Sequence, residues 1–317
     1  MTPALLLALL PIFAVLGLGA LAGRSGRIAP AQVAPLNTLV MDFALPAALF
    51  GAVTHAGRAE LLGQWPLMLV LLIGLLVLWW LVFAIERRVF GARAGSAAVL
   101  AISVSLPNFA AAGVPLMNGL FGRGGGLQVA VAISLGAVVL SPMTLVLLDL
   151  DRERRRGSTA SPSAALAAAA RRVSRAPLVL GPLVGVVLVL AGITLPPAVD
   201  RAVGLIGQAS GGVALFVTGL VLSARRIRLT GRVAAGALLA NIVHPLATAS
   251  LCTVLPIAAQ PRQAAILLSA LPCGFFGIFF ALRYEEDPTE AAAVVGVSTV
   301  LSIATLAAAI VSTGAAG

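Results

Sequence analysis

Asn108 follows Pro107 in the middle of an apolar stretch, "SLPNFAAAGVPL" (105–116), with Gly113 and Pro115 just downstream. A proline inside a helix removes a backbone donor and clashes with the carbonyl four residues earlier. In lipid the groups so freed must be met by protein or water. A second stretch, "ALPCG" (270–274), carries Pro272, Cys273 and Gly274, with Gly277 beyond. Helices broken at these places expose free N–H groups and the partly positive ends of half-helices, an environment suited to an anion. The Asn108 amide can donate to a carboxylate and accept elsewhere. These residue types therefore offer binding chemistry, with Asn108, Pro107, Gly113, Pro272, Cys273 and Gly274 as the candidate substrate-binding set. A proline kink that only shapes packing is the alternative at either place, but two breaks at matching positions favour a site.

Other polar residues interrupt the apolar pattern. Asp42 lies four residues before Pro46. An ionisable group in such a segment is a functional candidate by default, either coupling a proton or pairing with an arginine near the interface. Asn241 and His244 are three apart and share a helix face. Imidazole titrates near neutral pH, so His244 is a coupling candidate, with hydrogen-bonded packing as the alternative. Gln208 and Ser210, beside Gly211 and Gly212, would line a substrate path or serve close helix packing. Glu86, Asp149, Glu285, Glu286 and Asp287 fall at segment ends and read as solvated or paired with nearby arginines. Cys252 and Cys273 both sit inside apolar segments, so no disulfide is implied. The sequence holds no Walker motif, no Cys/His metal cluster and no GxSxG elbow. No catalytic residue, metal or cofactor is expected.

The elements that must position these residues are membrane spans. Of 317 residues 60% are hydrophobic and 10% charged, with a mean hydropathy of +1.07, against roughly 25% charged in an ordinary soluble domain. Stretches long enough to cross about 30 Å of hydrocarbon fall at 3–22, 32–54, 65–85, 95–121, 127–149, 177–197, 202–223, 231–256, 263–283 and 290–313, which predicts ten spans. The first is too long for a signal-peptide core and no basic residue precedes it, so it is read as retained. All 21 basic residues are arginine. Seventeen fall in the connections after spans 1, 3, 5, 7 and 9, Arg225, Arg226 and Arg228 among them, and four (Arg58, Arg123, Arg201, Arg262) on the other side. Arginine-rich loops stay cytoplasmic, so both termini are expected outside the cytoplasm, in an inner-membrane protein. The net charge of +10 is accounted for by topology, and no soluble basic domain exists to bind nucleic acid.

The chain divides at 150–176, "LDRERRRGSTASPSAALAAAARRVSRA", a cytoplasmic linker between a first five-helix repeat (1–149) and a second (177–317). An odd number of helices per half forces an inverted repeat. Pro107 and Pro272 are 165 residues apart, Pro11 and Pro182 are 171 apart, and both pairs fall at equivalent spans. The expected fold is all-α and polytopic: ten transmembrane helices in two inverted five-helix repeats, with broken helices 4 and 9 crossing at the midplane.

"SLPNFAAAGVPL", "LNTLVMDFALPAALF" (36–50), "QASGGVALFVTGLVLSAR" (208–225) and "ALPCGFFGIFFALRY" (270–284) resemble corresponding segments of the auxin efflux carrier family, which includes the PIN-type carriers. The likeness runs over nearly the whole chain. It implies a secondary carrier whose spans 1, 2, 6 and 7 form a scaffold through which a homodimer would assemble, while spans 3–5 and 8–10 move as an elevator-type transport domain. Pro107, Asn108 and Pro272 match the family's crossover. Cys273 stands where relatives often have a polar side chain, and the long central loop of the plant carriers is absent, pointing to a compact member with a different cargo.

The function expected is secondary active transport of a small organic anion, a carboxylate or auxin-like acid, with the bilayer and that anion as partners. Alternatives are a sodium-coupled carrier like the bile-acid symporters or a non-transporting membrane receptor. Span 9 has no acidic residue between Gln263 and Leu282, which disfavours sodium coupling. An intramembrane enzyme would require a nucleophile or metal ligand beside His244 or Asp42, and none is spaced for it.

Overall fold

The structure, a computed structural model, describes residues 3–55, 58, 63–157, 161–224, 229–255 and 257–315. Arg225, Arg226 and Arg228 lie outside the described residues. The chain is helical almost throughout: α1 (Pro3–Arg24), α2 (Val33–Thr54), α3 (Trp65–Arg88), α4 (Ala94–Ser105), α5 (Phe109–Phe121), α6 (Gly125–Arg155), α7 (Pro162–Val173), α8 (Pro177–Leu190), α9 (Pro197–Ala224), α10 (Gly231–Val254), α11 (Ala259–Ser269), α12 (Phe276–Tyr284) and α13 (Thr289–Thr313). Among the described residues six helices are long and apolar enough to cross a membrane, α2, α3, α6, α9, α10 and α13. The α7–α8 pair, bent by 67°, would make a seventh. Their hydrophobicity on all sides is what lipid demands of a spanning helix.

Two apolar segments expected as single spans are interrupted. One is split into α4 and α5 around Leu106–Asn108, the other into α11 and α12 around Leu271–Phe275. A third departs differently: α8 stops at Leu190, well before residue 197. Gly192 takes the left-handed conformation (φ 71°) and the Ile193 N–H closes back on the Leu188 carbonyl at 2.9 Å, a glycine-terminated helix end. Pro196 and Pro197 then start α9.

Four helices contain one wide π-helical turn, at Val40–Ala44 in α2, Phe109–Gly113 in α5, Gly136–Leu140 in α6 and Leu239–Val243 in α10. Each lies two residues before a proline: Pro46, Pro115, Pro142 and Pro245. In each, the N–H before the proline reaches back five residues, as Leu45 does to Val40 and His244 to Leu239. A proline cannot supply the next N–H and crowds the carbonyl behind it. Widening the helix by one residue takes up that crowding.

Packing divides the molecule. Helices α1 and α9 approach until backbones touch: a Cβ on Gly19 would lie 2.1 Å from the Phe216 carbonyl oxygen, and one on Gly219 2.2 Å from that of Leu16. Such small-residue seams fix helix pairs where the hydrophobic effect cannot. Helix α2 packs on both α8 and α9. On the other side α3, α6, α10, α12 and α13 surround α4, whose residues from Ala97 to Ser105 are all buried. Here Trp79 of α3 donates from Nε1 to the Thr144 hydroxyl of α6 at 3.1 Å.

One end of the bundle is tied by ion pairs. Arg232 at the start of α10 joins Glu86 of α3 and Glu290 of α13. Arg93 and Arg155 both reach the buried Glu286, each at 2.9 Å, and Arg152 reaches Glu285 at 2.9 Å. Glu285 is the one non-glycine residue with positive φ (60°) among the described residues, and this left-handed step ends α12. Asp149 pairs with Arg172 of α7 at 2.7 Å, and Asp42 of α2 pairs with Arg283 of α12. The acidic residues at segment ends are thus largely bound to arginines at the arginine-rich end.

Candidate functional site

The two interrupted helices meet at their breaks. Pro107 and Cys273 form an antiparallel bridge, the Asn108 N–H donates to the Pro272 carbonyl at 2.8 Å, and the Gly274 N–H donates to the Leu106 carbonyl at 2.9 Å. Each break therefore satisfies backbone groups the other has freed, as the interior of a membrane protein requires. The approach is close: a Cβ on Gly274 would sit 2.4 Å from the Leu106 oxygen.

Asn108 then caps α5. Its Oδ1 accepts from the Ala111 N–H at 3.1 Å, while among the described residues its side-chain NH2 donates to no protein group. At the other break the first N–H groups of α12, on Phe275, Phe276 and Gly277, have no carbonyl partner among the described residues. Unpaired N–H groups and the dipole of a helix start both favour negative charge.

Beside this crossing lies a cavity of about 440 Å³, walled by α2 (Ala48, Ala52), by the break and first turn of α5, by α9 and by Gly274–Phe276. Its lining is mostly apolar. The polar side chains are Asn108, Gln208 and Ser210, with His55 toward the end where it pairs with Asp200 at 3.0 Å. Among the described residues no arginine or acidic residue lines it. A few placed polar groups in an apolar cleft is the usual make-up of a small-molecule site.

Of the residues singled out in the sequence, Pro107, Asn108, Gly274, Gln208 and Ser210 come together on this cavity. Pro272 and Cys273 contribute backbone to the crossing behind it, and the Cys273 side chain is buried. Gly113 packs against Leu271, where a Cβ would come within 3.1 Å of its Cδ1. Asn241 stands one layer back. Its Oδ1 accepts from the Ser298 hydroxyl at 2.6 Å, and Ser298 Oγ in turn accepts from the Cys273 N–H at 2.9 Å. Asn241 and Ser298 thus hold the second break in position. His244 is buried apart from the cavity, near Gly74 of α3, and neither ring nitrogen has a hydrogen-bond partner among the described residues. Asp42 lies at the arginine-rich end, paired with Arg283.

Ser298 and His55 carry no signal in the sequence, since a lone serine or histidine in an apolar helix or at its end is common. The Ser298 relay gives a direct expectation. Ser298→Ala leaves the buried Asn241 acceptor and the Cys273 N–H unpaired, at a cost of about 1–3 kcal/mol. Thermal unfolding of the purified variant should shift down by several degrees, and an unchanged midpoint would show that the relay does not hold the break.

The family described as membrane transport proteins matches residues 4–310. The chain belongs to this family. It is a membrane transporter, and the auxin efflux carrier likeness of its broken segments falls within the same family. Proteins described as the uncharacterized transporter YfdV, from Escherichia coli strain K12, E. coli O157:H7 and Shigella flexneri, are each 30% identical over 279 residues, 87% of this chain and 87% of their own. Two interrupted helices crossing beside a cleft are, in this transporter, the natural place to look for its substrate.

Proposed function

We propose that this family member is a secondary active transporter of a small organic anion, a carboxylate or auxin-like acid, working by elevator-type alternating access in the inner membrane. The observation that carries the proposal is the crossing itself: two backbone-paired breaks beside a 440 Å³ cavity, with the Asn108 amide and the unpaired N–H groups of α12 next to it. With no arginine among the described residues lining the cavity, recognition rests on amides and a helix start. That suits a carboxylate held by several weak donors and released again.

In this proposal α4–α5 and α11–α12 each count as one span and α8 as another, giving ten spans in two inverted five-helix repeats. The glycine-seamed α1, α2, α8 and α9 form the scaffold, through which a homodimer would assemble. The remaining helices carry the crossing and move. Arginine-rich loops being cytoplasmic, both termini lie outside. The cavity, reaching His55 at the opposite end from the ion pairs, then opens outward. The Asp42–Arg283 pair joins scaffold to moving domain on the closed, cytoplasmic side, and it must break for the domain to travel.

The test is charge movement and labelled exchange in proteoliposomes challenged with small mono- and dicarboxylates and indole acids. Saturable transport of at least one acid is expected. Silence in both assays across the panel, with a folded and correctly inserted protein, would defeat the proposal.

A further inference from the structure

A second cavity, of about 320 Å³, lies at the arginine-rich end, away from the crossing. It lies where α2, α6, α7, α8 and α12 converge. Four arginines line it, Arg152, Arg172, Arg175 and Arg283, against two acidic residues, Asp42 and Asp149. Both carboxylates are already engaged, Asp42 by Arg283 and Asp149 by Arg172. Among the described residues no carboxylate pairs with Arg175. Arg152 spends its Nη2 on the exposed Glu285, while its Nε is buried with no acceptor among the described residues. The Arg152 guanidinium also lies 5.9 Å from the centre of the ring of Tyr284, itself a lining residue.

Buried donors of a charged group are costly to leave unpaired. Converging guanidinium forks match the several acceptor oxygens of a phosphate group, each fork able to take two. We propose that this cavity is a phosphate-binding site, held by Arg175 and Arg152 with Arg172 and Arg283 at its edges. The ligand's phosphate belongs either to the headgroup of an anionic phospholipid or to a free phosphate species. Basic pockets between helix ends at the cytoplasmic surface are suited to the first, and the 320 Å³ of space admits the second. A bound phosphate would compete for Arg283 with Asp42, so occupancy would loosen the tie between α2 and α12.

Arg175→Ala is the informative variant, because it removes a lining cation without breaking an ion pair. The delipidated protein in neutral detergent is titrated with inorganic phosphate at constant ionic strength, with sodium acetate as the comparison, and thermal unfolding is followed. In parallel, protein reconstituted with phosphatidylcholine alone or with phosphatidylglycerol added is released for native mass spectrometry. A saturable phosphate shift, weakened at least tenfold in Arg175→Ala, assigns the site to free phosphate. Retained phosphatidylglycerol, lost in Arg175→Ala, assigns it to lipid. An equal response of wild type and variant to both ligands, no response to either, or an acetate response equal to that of phosphate would each overturn the proposal. None of these readouts requires transport, so failure here is distinct from failure of the carrier proposal.

Discussion

Asn108→Ala is expected to reduce transport by about tenfold to a hundredfold while the protein still folds and inserts. Two roles meet at this side chain: Oδ1 caps α5 through the Ala111 N–H at 3.1 Å, and the NH2 group is left for the cavity. Loss of the cap costs about 1 kcal/mol. Loss of a hydrogen bond to a charged ligand costs roughly 1.5–3 kcal/mol, which is the source of the expected range at about 1.4 kcal/mol per factor of ten. Asn108→Asp separates the roles. The carboxylate keeps an acceptor for Ala111 but offers no donor and repels an anion, so the unfolding midpoint should stay near wild type while transport is lost. An aspartate variant that transports normally would remove the amide from the binding site.

Gly277→Ala is expected to be strongly destabilising for a single-methyl change. A Cβ there would lie 1.9 Å from Ser103 Oγ and 2.4 Å from the Val99 carbonyl oxygen of α4. The serine can rotate, but the carbonyl belongs to a fully buried helix and cannot move without displacing α4 from the crossing. Overpacking of this kind costs about 1–3 kcal/mol and occasionally more, and here the upper end applies because backbone is struck. The variant should give little monodisperse protein on size exclusion. Adding Ser103→Gly should restore only part of it, since the Val99 contact remains. A single variant that unfolds within a few degrees of wild type would mean that α12 does not lie this close to α4.

The sequence made the two breaks legible because proline and asparagine in a lipid-facing pattern have few innocent explanations. Hydropathy also located the helices to within a few residues wherever polar loops are sharp, and it failed at α8, where apolar Ile193–Pro197 continues past a helix already closed by Gly192. What it does not carry is azimuth. Helices apolar all round give no sign of which face meets which neighbour, so nothing in the sequence links Asn241 to Ser298 or Asp42 to Arg283. Cys273 is instructive for the same reason. Its contribution to the crossing comes from backbone, through the bridge to Pro107 and the N–H held by Ser298, and backbone roles are invisible in residue type.

The four wide turns have a consequence for how the chain tolerates insertion and deletion. Each contains one residue more than α-helical register needs. Deleting one residue from 40–44, together with replacing Pro46 by alanine, would return α2 to regular register and leave every downstream side chain on its original face. The same deletion elsewhere in that helix would turn its remainder by about 100°, carrying Ala48 and Ala52 off the cavity wall. Single-residue length differences between members of this family should therefore collect immediately before helix prolines, and where the residue is missing the proline should be missing with it.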